Sequence, residues 1–193
     1  MGPLAYKLEE LFTYGDYRTW SDDERWELID GVPYCMSPAP KVVHQGILME
    51  LGTQFATWLR GKPCKVFPAP FDVRLPEQNE SDDDVTTVVQ PDLTVICDKG
   101  KLDDAGCRGA PDLVVEILSP STAQKDLKIK FARYERAGVR EYWIVDPAAK
   151  TVMIFSLGDD ARYGRPSIHV DTDRPTVGIF PDLRIDLTAV FAE

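Results

Sequence analysis

A glutamate interrupts an apolar run in the middle of the chain, where residues 113–118 read LVVEIL. A nearly continuous apolar run of this length is typical of a strand that is buried on both faces. A carboxylate in such a strand is costly unless it is paired with a cation or bound to a metal. Glu116 is therefore the first candidate for a site residue.

A second carboxylate, Asp92, lies in the β-rich segment from Val85 to Cys97. Side chains alternate between the two faces of a strand, so Asp92 shares a face with Thr94, and Glu116 shares one with Asp112. If these two strands are neighbours, Asp92 and Glu116 can converge on one divalent cation. The sequence thus predicts a two-carboxylate metal site.

Asp92 belongs to one of three Pro-Asp-Leu triplets, which occupy residues 91–93, 111–113 and 181–183. Each triplet alone indicates only the start of a strand, because proline is tolerated at the first residue of a strand and aspartate is common in turns. The triplets by themselves predict no function.

The segment from about Thr122 to Ala137 is predicted to form a helix with five basic and two acidic residues. Asp126, Lys130 and Tyr134 recur at intervals of four and form one stripe along it. Two carboxylates suit Mg²⁺, which contacts substrate phosphate, and a nearby lysine can stabilise the charge that grows there during reaction. The structural alternative is a buried ion pair between Glu116 and Lys130, or an arginine, beside a solvated basic face.

Three further residues are weaker candidates for a functional site. His44, near the start of an amphipathic helix predicted from about Val42 to Leu59, can reach a phosphate, act as a base, or simply be a capping or buried neutral histidine. Glu27 can supply a third metal ligand, or lie solvated in a hairpin that turns at Asp30-Gly31. Glu141 stands at the start of a strand, where a surface carboxylate is ordinary.

Several of these segments together resemble the Uma-type family of restriction-endonuclease-like proteins, a bacterial branch of the PD-(D/E)XK nuclease superfamily. The resemblance runs from about residue 20 to the C-terminus, and its most specific part is EILSPST followed by EYWIVDP. The matching pieces are Pro91-Asp92-Leu93, PDLVVEILSPST at 111–122, Asp126, Lys130, Tyr134, GVREYWIVDP at 138–147, and, nearer the N-terminus, ELIDG at 27–31, Met36-Ser37-Pro38 and His44.

The resemblance implies that Asp92 and Glu116 are catalytic metal ligands, with Glu27 a weaker third. The lysine that the superfamily has two residues after its second carboxylate is Leu118 here. Lys130 is the best candidate for a migrated catalytic lysine, and Lys128 is the second.

The implied activity is Mg²⁺- or Mn²⁺-dependent hydrolysis of DNA phosphodiester bonds, with DNA as partner. His44, Lys128 and Tyr134 are weak candidates for substrate contacts, and a homodimer is expected by analogy with nucleases that cut both strands. Because Leu118 replaces the usual lysine, the alternative is an inactive nuclease fold that serves as a binding or oligomerisation module. A nucleotide-binding protein is disfavoured because the chain has no Gly-rich phosphate loop.

The composition limits how such a protein can bind DNA. The 193 residues include 32 acidic and 22 basic side chains, for a net charge of −10, and half of that excess lies between Glu77 and Asp84. This balance argues against coating nucleic acid by general electrostatics, but it does not exclude local contacts with phosphate. The acidic segment, at about 76–84, is expected to be a solvated loop.

The remaining expectations concern architecture and location. We predict a single α/β domain over residues 1–193, with a central mixed sheet flanked by helices; the family resemblance makes it a restriction-endonuclease-like core. No targeting signal or membrane-spanning stretch is visible, so a cytoplasmic protein with no membrane association is expected. The spacing of its cysteines and histidines matches no zinc site, and reduced thiols are expected; these residues are Cys35, Cys64, Cys97, Cys107, His44 and His169.

Overall fold

The computed structural model describes residues 11–21, 23–36 and 40–192 of the chain. The helices are α1 (Tyr14–Tyr17), α2 (Val42–Leu59), α3 (Phe131–Ala137) and α4 (Leu187–Val190), with a 3-10 turn at Lys99–Lys101 and a π-helical segment at Lys125–Lys130. The strands are β1 (Trp26–Ile29), β2 (Val32–Cys35), β3 (Lys65–Pro68), β4 (Val73–Arg74), β5 (Val88–Val89), β6 (Leu93–Ile96), β7 (Leu102–Asp103), β8 (Gly106–Arg108), β9 (Leu113–Ile117), β10 (Glu141–Asp146), β11 (Thr151–Ser156), β12 (Ser167–Val170), β13 (Thr176–Val177) and β14 (Phe180–Arg184).

The central sheet has six strands in the order β12-β11-β10-β9-β6-β3. β9 and β10 are parallel, and the other neighbours are antiparallel. All five residues of β9 are buried, as its apolar composition predicts. The predicted mixed sheet with flanking helices is confirmed.

Apolar side chains pack on both faces of this sheet, following the alternation along β9. Leu113, Val115 and Ile117 join the cluster that contains the buried side chains of α2. Val114 joins the opposite cluster, which contains Tyr134 of α3. Both faces of β9 are thus covered, which explains why its sequence is almost continuously apolar.

A second six-stranded sheet, in the order β2-β1-β5-β4-β8-β7, packs its apolar residues into the cluster on the α3 side. Its first hairpin turns at Asp30-Gly31, where φ is +50° and +78°. Positive φ at both central residues is what a two-residue hairpin of this kind needs, and Asp-Gly supplies it at low cost. The hairpin places Glu27 on β1, facing the core.

The helix predicted from about Thr122 to Ala137 is present but not uniformly α-helical. Lys125–Lys130 is π-helical and leads directly into α3, which ends at Gly138 with φ of +87°. In a π-helix the hydrogen bonds run between residues five apart, and such segments are often found at functional sites. Residues five apart are therefore near neighbours here, which a period of 3.6 residues does not predict.

Cys64 and Cys97 form a disulfide, so the prediction of reduced thiols is wrong for this pair. The antiparallel strands β3 and β6 pair Lys65 with Ile96, and the next position outward joins the two cysteines. That proximity arises from strand pairing across 33 residues of sequence, which no local spacing motif reveals. Cys35 and Cys107 are free thiols.

The acidic segment at about 76–84 is held against the protein by arginines, contrary to the prediction of a simply solvated loop. Asp82 pairs with the buried Arg74 and with Arg108, and Glu77 pairs with the buried Arg133. Much of the local negative charge is therefore already neutralised. Among the residues described, none of the helices is both long enough and apolar enough to cross a bilayer.

Candidate functional site

The pairing of β6 with β9 brings the two predicted metal ligands together. Leu93 lies opposite Val115 in this antiparallel pair. One further step along the same register places Asp92, just before β6, opposite Glu116. The convergence predicted from strand alternation is therefore present.

Glu116 is buried and accepts two hydrogen bonds at its Oε1 atom. Lys130 donates from Nζ at 2.8 Å, and Tyr134 donates from its hydroxyl at 2.7 Å. Both donors belong to the predicted helical stripe, and Asp126, the third member, lies 3.9 Å from Lys130 Nζ through its Oδ1 atom. The stripe thus faces Glu116 as a unit.

Glu27 is completely buried, so the alternative of a solvated hairpin residue is wrong. Its Oε1 atom lies 2.5 Å from Lys130 Nζ and accepts the backbone N–H of Gln90 at 2.9 Å. Its Oε2 atom lies 2.6 Å from Lys125 Nζ. Both oxygens of Glu27 therefore have cationic partners.

Lys125 is a site residue that the sequence does not single out. In the sequence it is only one of the five basic residues of the predicted helix. The π-helical segment explains its position, because Lys125 and Lys130 are five residues apart and lie on the same side of such a turn. Both lysines can then reach one carboxylate, that of Glu27.

Asp92 links the site to α2. Its Oδ2 atom accepts the backbone N–H of Ile117 at 2.7 Å and lies 3.2 Å from Nε2 of His44. Burial alone would lower the pKa of His44, but the hydrogen bond and the charge of Asp92 raise it above the ordinary value. His44 is thus a buried partner of Asp92, and its Nδ1 atom has no hydrogen-bond partner among the described residues.

The cluster holds more carboxylates than lysines, and their pKa values separate accordingly. Burial and the charges of Asp126, Asp92 and Glu27 raise the pKa of Glu116 to about 8, against the opposing effect of Lys130. Burial would also raise the pKa of Glu27, but Lys130 and Lys125 together lower it. Glu27 is therefore the carboxylate whose charge the two lysines stabilise, and Glu116 is the one whose charge another cation would stabilise.

The donor set at Asp92 and Glu116 fits a hard divalent cation that keeps several waters. Like-charge repulsion between these neighbouring carboxylates would be relieved by such an ion, and oxygen ligands are the type that Mg²⁺ prefers. No three His, Cys, Asp or Glu side chains of the described ranges form a ready-made metal site. The fit is accordingly to a two-carboxylate site, without Glu27.

Lys128 is exposed and lies away from the carboxylates, so of the two candidate lysines only Lys130 contacts Glu116. The two arginines of the helix are committed within the protein. Arg133 pairs with Glu77, and Arg136 pairs with both Asp30 and Glu77. The basic face of this helix is therefore not the open phosphate-binding surface that its charge suggests.

Glu141 is buried, which corrects its interpretation as a surface carboxylate. Its Oε1 atom accepts the Trp143 indole N–H at 2.7 Å and the Gly178 backbone N–H at 3.0 Å. Its Oε2 atom accepts the Ile179 backbone N–H at 2.8 Å. Glu141 therefore fastens the loop between β13 and β14 to the central sheet.

A likeness to known structures agrees with this architecture. A crystal structure described as a putative nuclease belonging to DUF820, from Anabaena variabilis, superposes with a TM-score of 0.73. The match covers 93% of this chain and 97% of that one at 17% sequence identity. At that identity the likeness shows a shared fold.

Sequence comparison places the chain in a family. Uncharacterized protein slr1290 of Synechocystis is 27% identical over 148 residues, which is 75% of this chain and 74% of that protein. The model of the Uma2 family, described as "Putative restriction endonuclease", matches residues 14–188 and so includes all the site residues discussed above. The chain belongs to the Uma2 family.

Proposed function

We propose that the protein is a metal-dependent endonuclease that hydrolyses phosphodiester bonds of DNA. The observation that carries this proposal is the juxtaposition of Asp92 and Glu116 at the end of two paired strands, with Lys130 within hydrogen-bond distance of Glu116. The Uma2 family membership supports a nuclease, and the substrate and metal are our inference. Asp92 and Glu116 would hold Mg²⁺ or Mn²⁺, which supplies Lewis-acid polarisation of the phosphate and a bound water as nucleophile.

Lys130 would place its positive charge where negative charge grows on the phosphate during reaction. Glu27 and Lys125 are positioning residues in this scheme. Burial would lower the pKa of Lys130, but the charges of Glu116 and Glu27 raise it, and Glu27 fixes the direction of the Nζ atom, since it contacts that atom at 2.5 Å. Lys130 thereby fills the role of the lysine that Leu118 replaces in the sequence. Tyr134 would hold Glu116 in position, and His44 would do the same for Asp92.

Cleavage of DNA by purified variants tests this assignment. Single- and double-stranded DNA would be incubated with Mg²⁺ or Mn²⁺ and the wild type, Asp92→Asn or Glu116→Gln. Loss of a metal-ligating carboxylate should lower the cleavage rate by about 1,000-fold or more, because it removes both the cation and the nucleophile that the cation supplies.

Asp112→Asn is the matched control. Asp112 follows a proline at the start of β9 as Asp92 does at the start of β6, and its Oδ2 accepts a backbone N–H from the facing strand, that of Cys97 at 2.8 Å. We expect this variant to cleave DNA at close to the wild-type rate. Cleavage that persists in both Asp92→Asn and Glu116→Gln would overturn the assignment.

A second function, a non-catalytic module that keeps the nuclease fold, is favoured by one specific observation. Lys130 is held by two buried carboxylates, as in a purely structural ion-pair network. Calorimetric titration with Mn²⁺ separates the two functions. A heat of binding that is lost in Asp92→Asn and retained in Asp112→Asn supports the nuclease, and a folded wild type with no such heat supports the module.

The charge distribution bears on how DNA would be bound. The net charge of −10 and the internal pairing of Arg133 and Arg136 leave little general attraction for a polyanion. We therefore propose that contacts to DNA are local and salt-sensitive, and that a homodimer completes the groove. A cytoplasmic location also remains our proposal.

A further inference from the structure

A pocket whose lining combines aromatic, charged and polar side chains includes Gln90, a residue that also contacts the carboxylate cluster. Its volume is about 460 Å³, which is within the range of about 300–1,000 Å³ that small-molecule sites occupy. Tyr17, Trp20 and Trp26 form its walls, and the polar residues Asp72 and Gln90 also line it. A large aromatic surface with a few convergent polar groups is the composition expected of a ligand site.

The aromatic rings are arranged so that they leave surface for a planar ligand. The Trp20 ring lies 5.4 Å from that of Tyr17 at 55°, and 5.8 Å from that of Trp26 at 74°. The ring of Phe12 lies 5.5 Å from that of Trp20 at 82°, so none of the three neighbouring rings stacks parallel on Trp20. Stacking of a base on an aromatic ring of this kind is a main source of affinity for unpaired nucleic acid.

Asp72 is the polar group that a ligand would meet in this pocket. Its Oδ1 atom accepts hydrogen bonds from Gln90 Nε2 at 2.8 Å and from the Tyr17 hydroxyl at 3.2 Å, both neutral donors. Burial raises the pKa of Asp72, against the hydrogen bonds of those two residues and the charge of Arg74. A half-buried carboxylate with neutral partners has acceptor capacity left for the N–H groups of a base.

The two residues that hold Asp72 are themselves fixed. The Gln90 Oε1 atom accepts from Nε and Nη2 of Arg25 at 3.1 and 2.7 Å, which orients the amide so that its Nε2 faces Asp72. The Tyr17 hydroxyl also lies 3.2 Å from the carbonyl oxygen of Trp26. Asp72 is thus part of a preorganised network rather than a loose surface carboxylate.

The pocket and the carboxylate cluster share two short segments of chain. Trp26 directly precedes Glu27, and Gln90 lies two residues before Asp92. The backbone N–H of Gln90 donates to Oε1 of Glu27 at 2.9 Å, so one residue lines the pocket and contacts the cluster. Gln90 therefore joins the pocket to the carboxylate cluster.

We propose that this pocket binds an unpaired nucleobase of the nucleic-acid substrate, stacked on Trp20 and held at its edge by Asp72. The inference rests on the proposed nuclease function and names the part of the substrate that the site recognises. Guanine suits it best, since the acceptor-only carboxylate pairs with its adjacent N1–H and N2–H donors. The two arginines that also line the pocket already have partners, Arg18 in Asp83 and Arg25 in Gln90, so the base contributes more to binding than the phosphate does.

Equilibrium binding of 2′-deoxyguanosine 5′-monophosphate, followed by tryptophan fluorescence in the presence of EDTA, tests the proposal without requiring catalysis. The control ligand is 2-deoxyribose 5-phosphate, which has the phosphate but no base. We expect saturable binding of the nucleotide and at least tenfold weaker binding of the sugar phosphate. Equal affinity for the two ligands would overturn the proposal.

Variants assign the binding to the pocket. Trp20→Ala should weaken nucleotide binding by about 5- to 100-fold, the range expected for one base–aromatic stack, and Trp20→Phe should restore part of it. Trp58→Ala is the matched control, because Trp58 packs on Phe180 and Lys62 outside the pocket. Equal binding by Trp20→Ala and Trp58→Ala would contradict the assignment.

A further variant keeps the test valid if Trp20→Ala does not fold. Asp72→Asn preserves the shape of the side chain and removes the charged acceptor, so binding should fall roughly tenfold. Unchanged binding would exclude the role of Asp72. These measurements need no metal, so the two proposals can fail separately. Nucleotide binding without DNA cleavage would contradict only the nuclease proposal. DNA cleavage without nucleotide binding would contradict only the proposed base pocket.

Discussion

The β6–β9 strand pair has a Pro-Asp-Leu triplet at each end, and the two ends differ in what faces the aspartate. Asp92 accepts the N–H of Ile117 at 2.7 Å, and Asp112 accepts that of Cys97 at 2.8 Å. Their side chains are similarly buried, at 18% and 13% exposure. The local motif therefore gives the same strand-end geometry twice.

The surroundings of the two aspartates are not alike. Asp92 faces Glu116 and His44 in a largely buried cluster. Asp112 lies 3.3 Å through Oδ1 from Arg140, whose side chain is 62% exposed. The comparison teaches that the chemistry depends on the residues that the fold places opposite the motif, since the motif itself serves only to begin a strand.

Removing the charge of Lys130 is the strongest way to test this difference. Lys130→Met leaves the buried Glu27 and Glu116 with one fewer cation, and breaking a buried pair in this way costs about 3–5 kcal/mol of unfolding free energy. At the other end, Arg140→Met removes an exposed partner of Asp112 and should cost about 0–1 kcal/mol. Urea denaturation of both variants measures the contrast, and equal losses would contradict it.

Breaking the disulfide probes the Asp112 end next. The Cys64–Cys97 bridge closes a long loop, so replacing both cysteines by serine should lower the unfolding free energy by about 2–4 kcal/mol. Because Cys97 contacts Asp112 and not Asp92, Mn²⁺ affinity should remain within about twofold of the wild type. Denaturation and calorimetry on the same variant give both values, and a large loss of Mn²⁺ affinity would show that the two ends are coupled.

A smaller effect is expected for the hydroxyl that contacts Glu116. Tyr134→Phe removes one donor to a buried carboxylate, which should cost about 1–3 kcal/mol. Tyr163→Phe is the control, because its hydroxyl donates to the neutral carbonyl oxygen of Val139 at 2.8 Å, a hydrogen bond worth about 0.5–1.5 kcal/mol. Thermal and urea unfolding measure the difference, and a smaller loss for Tyr134→Phe would contradict the ion-centred network.

The smallest effect is a pH dependence that only the Asp92 end should have. The folded-state pKa of His44 is raised, so its protonation stabilises the protein fully below the unfolded value of about 6.5, and this contribution is lost as the pH rises through the folded pKa. The difference in unfolding free energy between wild type and His44→Gln should therefore shrink from pH 6 upward. Asp112→Asn should show no such trend over that range. If the stability difference between wild type and His44→Gln grew with pH, the raised pKa of His44 would be contradicted.

Sequence periodicity predicts the parts of this protein that depend on burial. The apolar run around Glu116 predicts the buried central strand, and the alternation of side chains along it predicts which residues share a face of the sheet. A spacing of four residues predicts the helical stripe of Asp126, Lys130 and Tyr134. These succeed because the core imposes one local pattern on each element. The stripe also predicts that Lys130 faces Glu116, which the contact between them confirms.

Other structural features arise from contacts between segments that are distant in the sequence, and no local sequence pattern predicts them. The burial of Glu27 needs the second sheet, which contains β1, to pack against the π-helical segment. The burial of Glu141 needs the loop after β13. The disulfide needs β3 to pair with β6 in one register. The commitment of Arg133 and Arg136 to the acidic segment likewise appears only when the two are brought together.

The π-helical segment makes the number of residues between two lysines a functional quantity. In an ordinary α-helix, two lysines five residues apart would lie about 140° apart around the helix axis, and only one of them would face Glu27. A relative with one residue fewer here would keep both lysines on that side only if the segment were α-helical, since residues four apart share a face of an α-helix. Segment length here is as informative as residue identity.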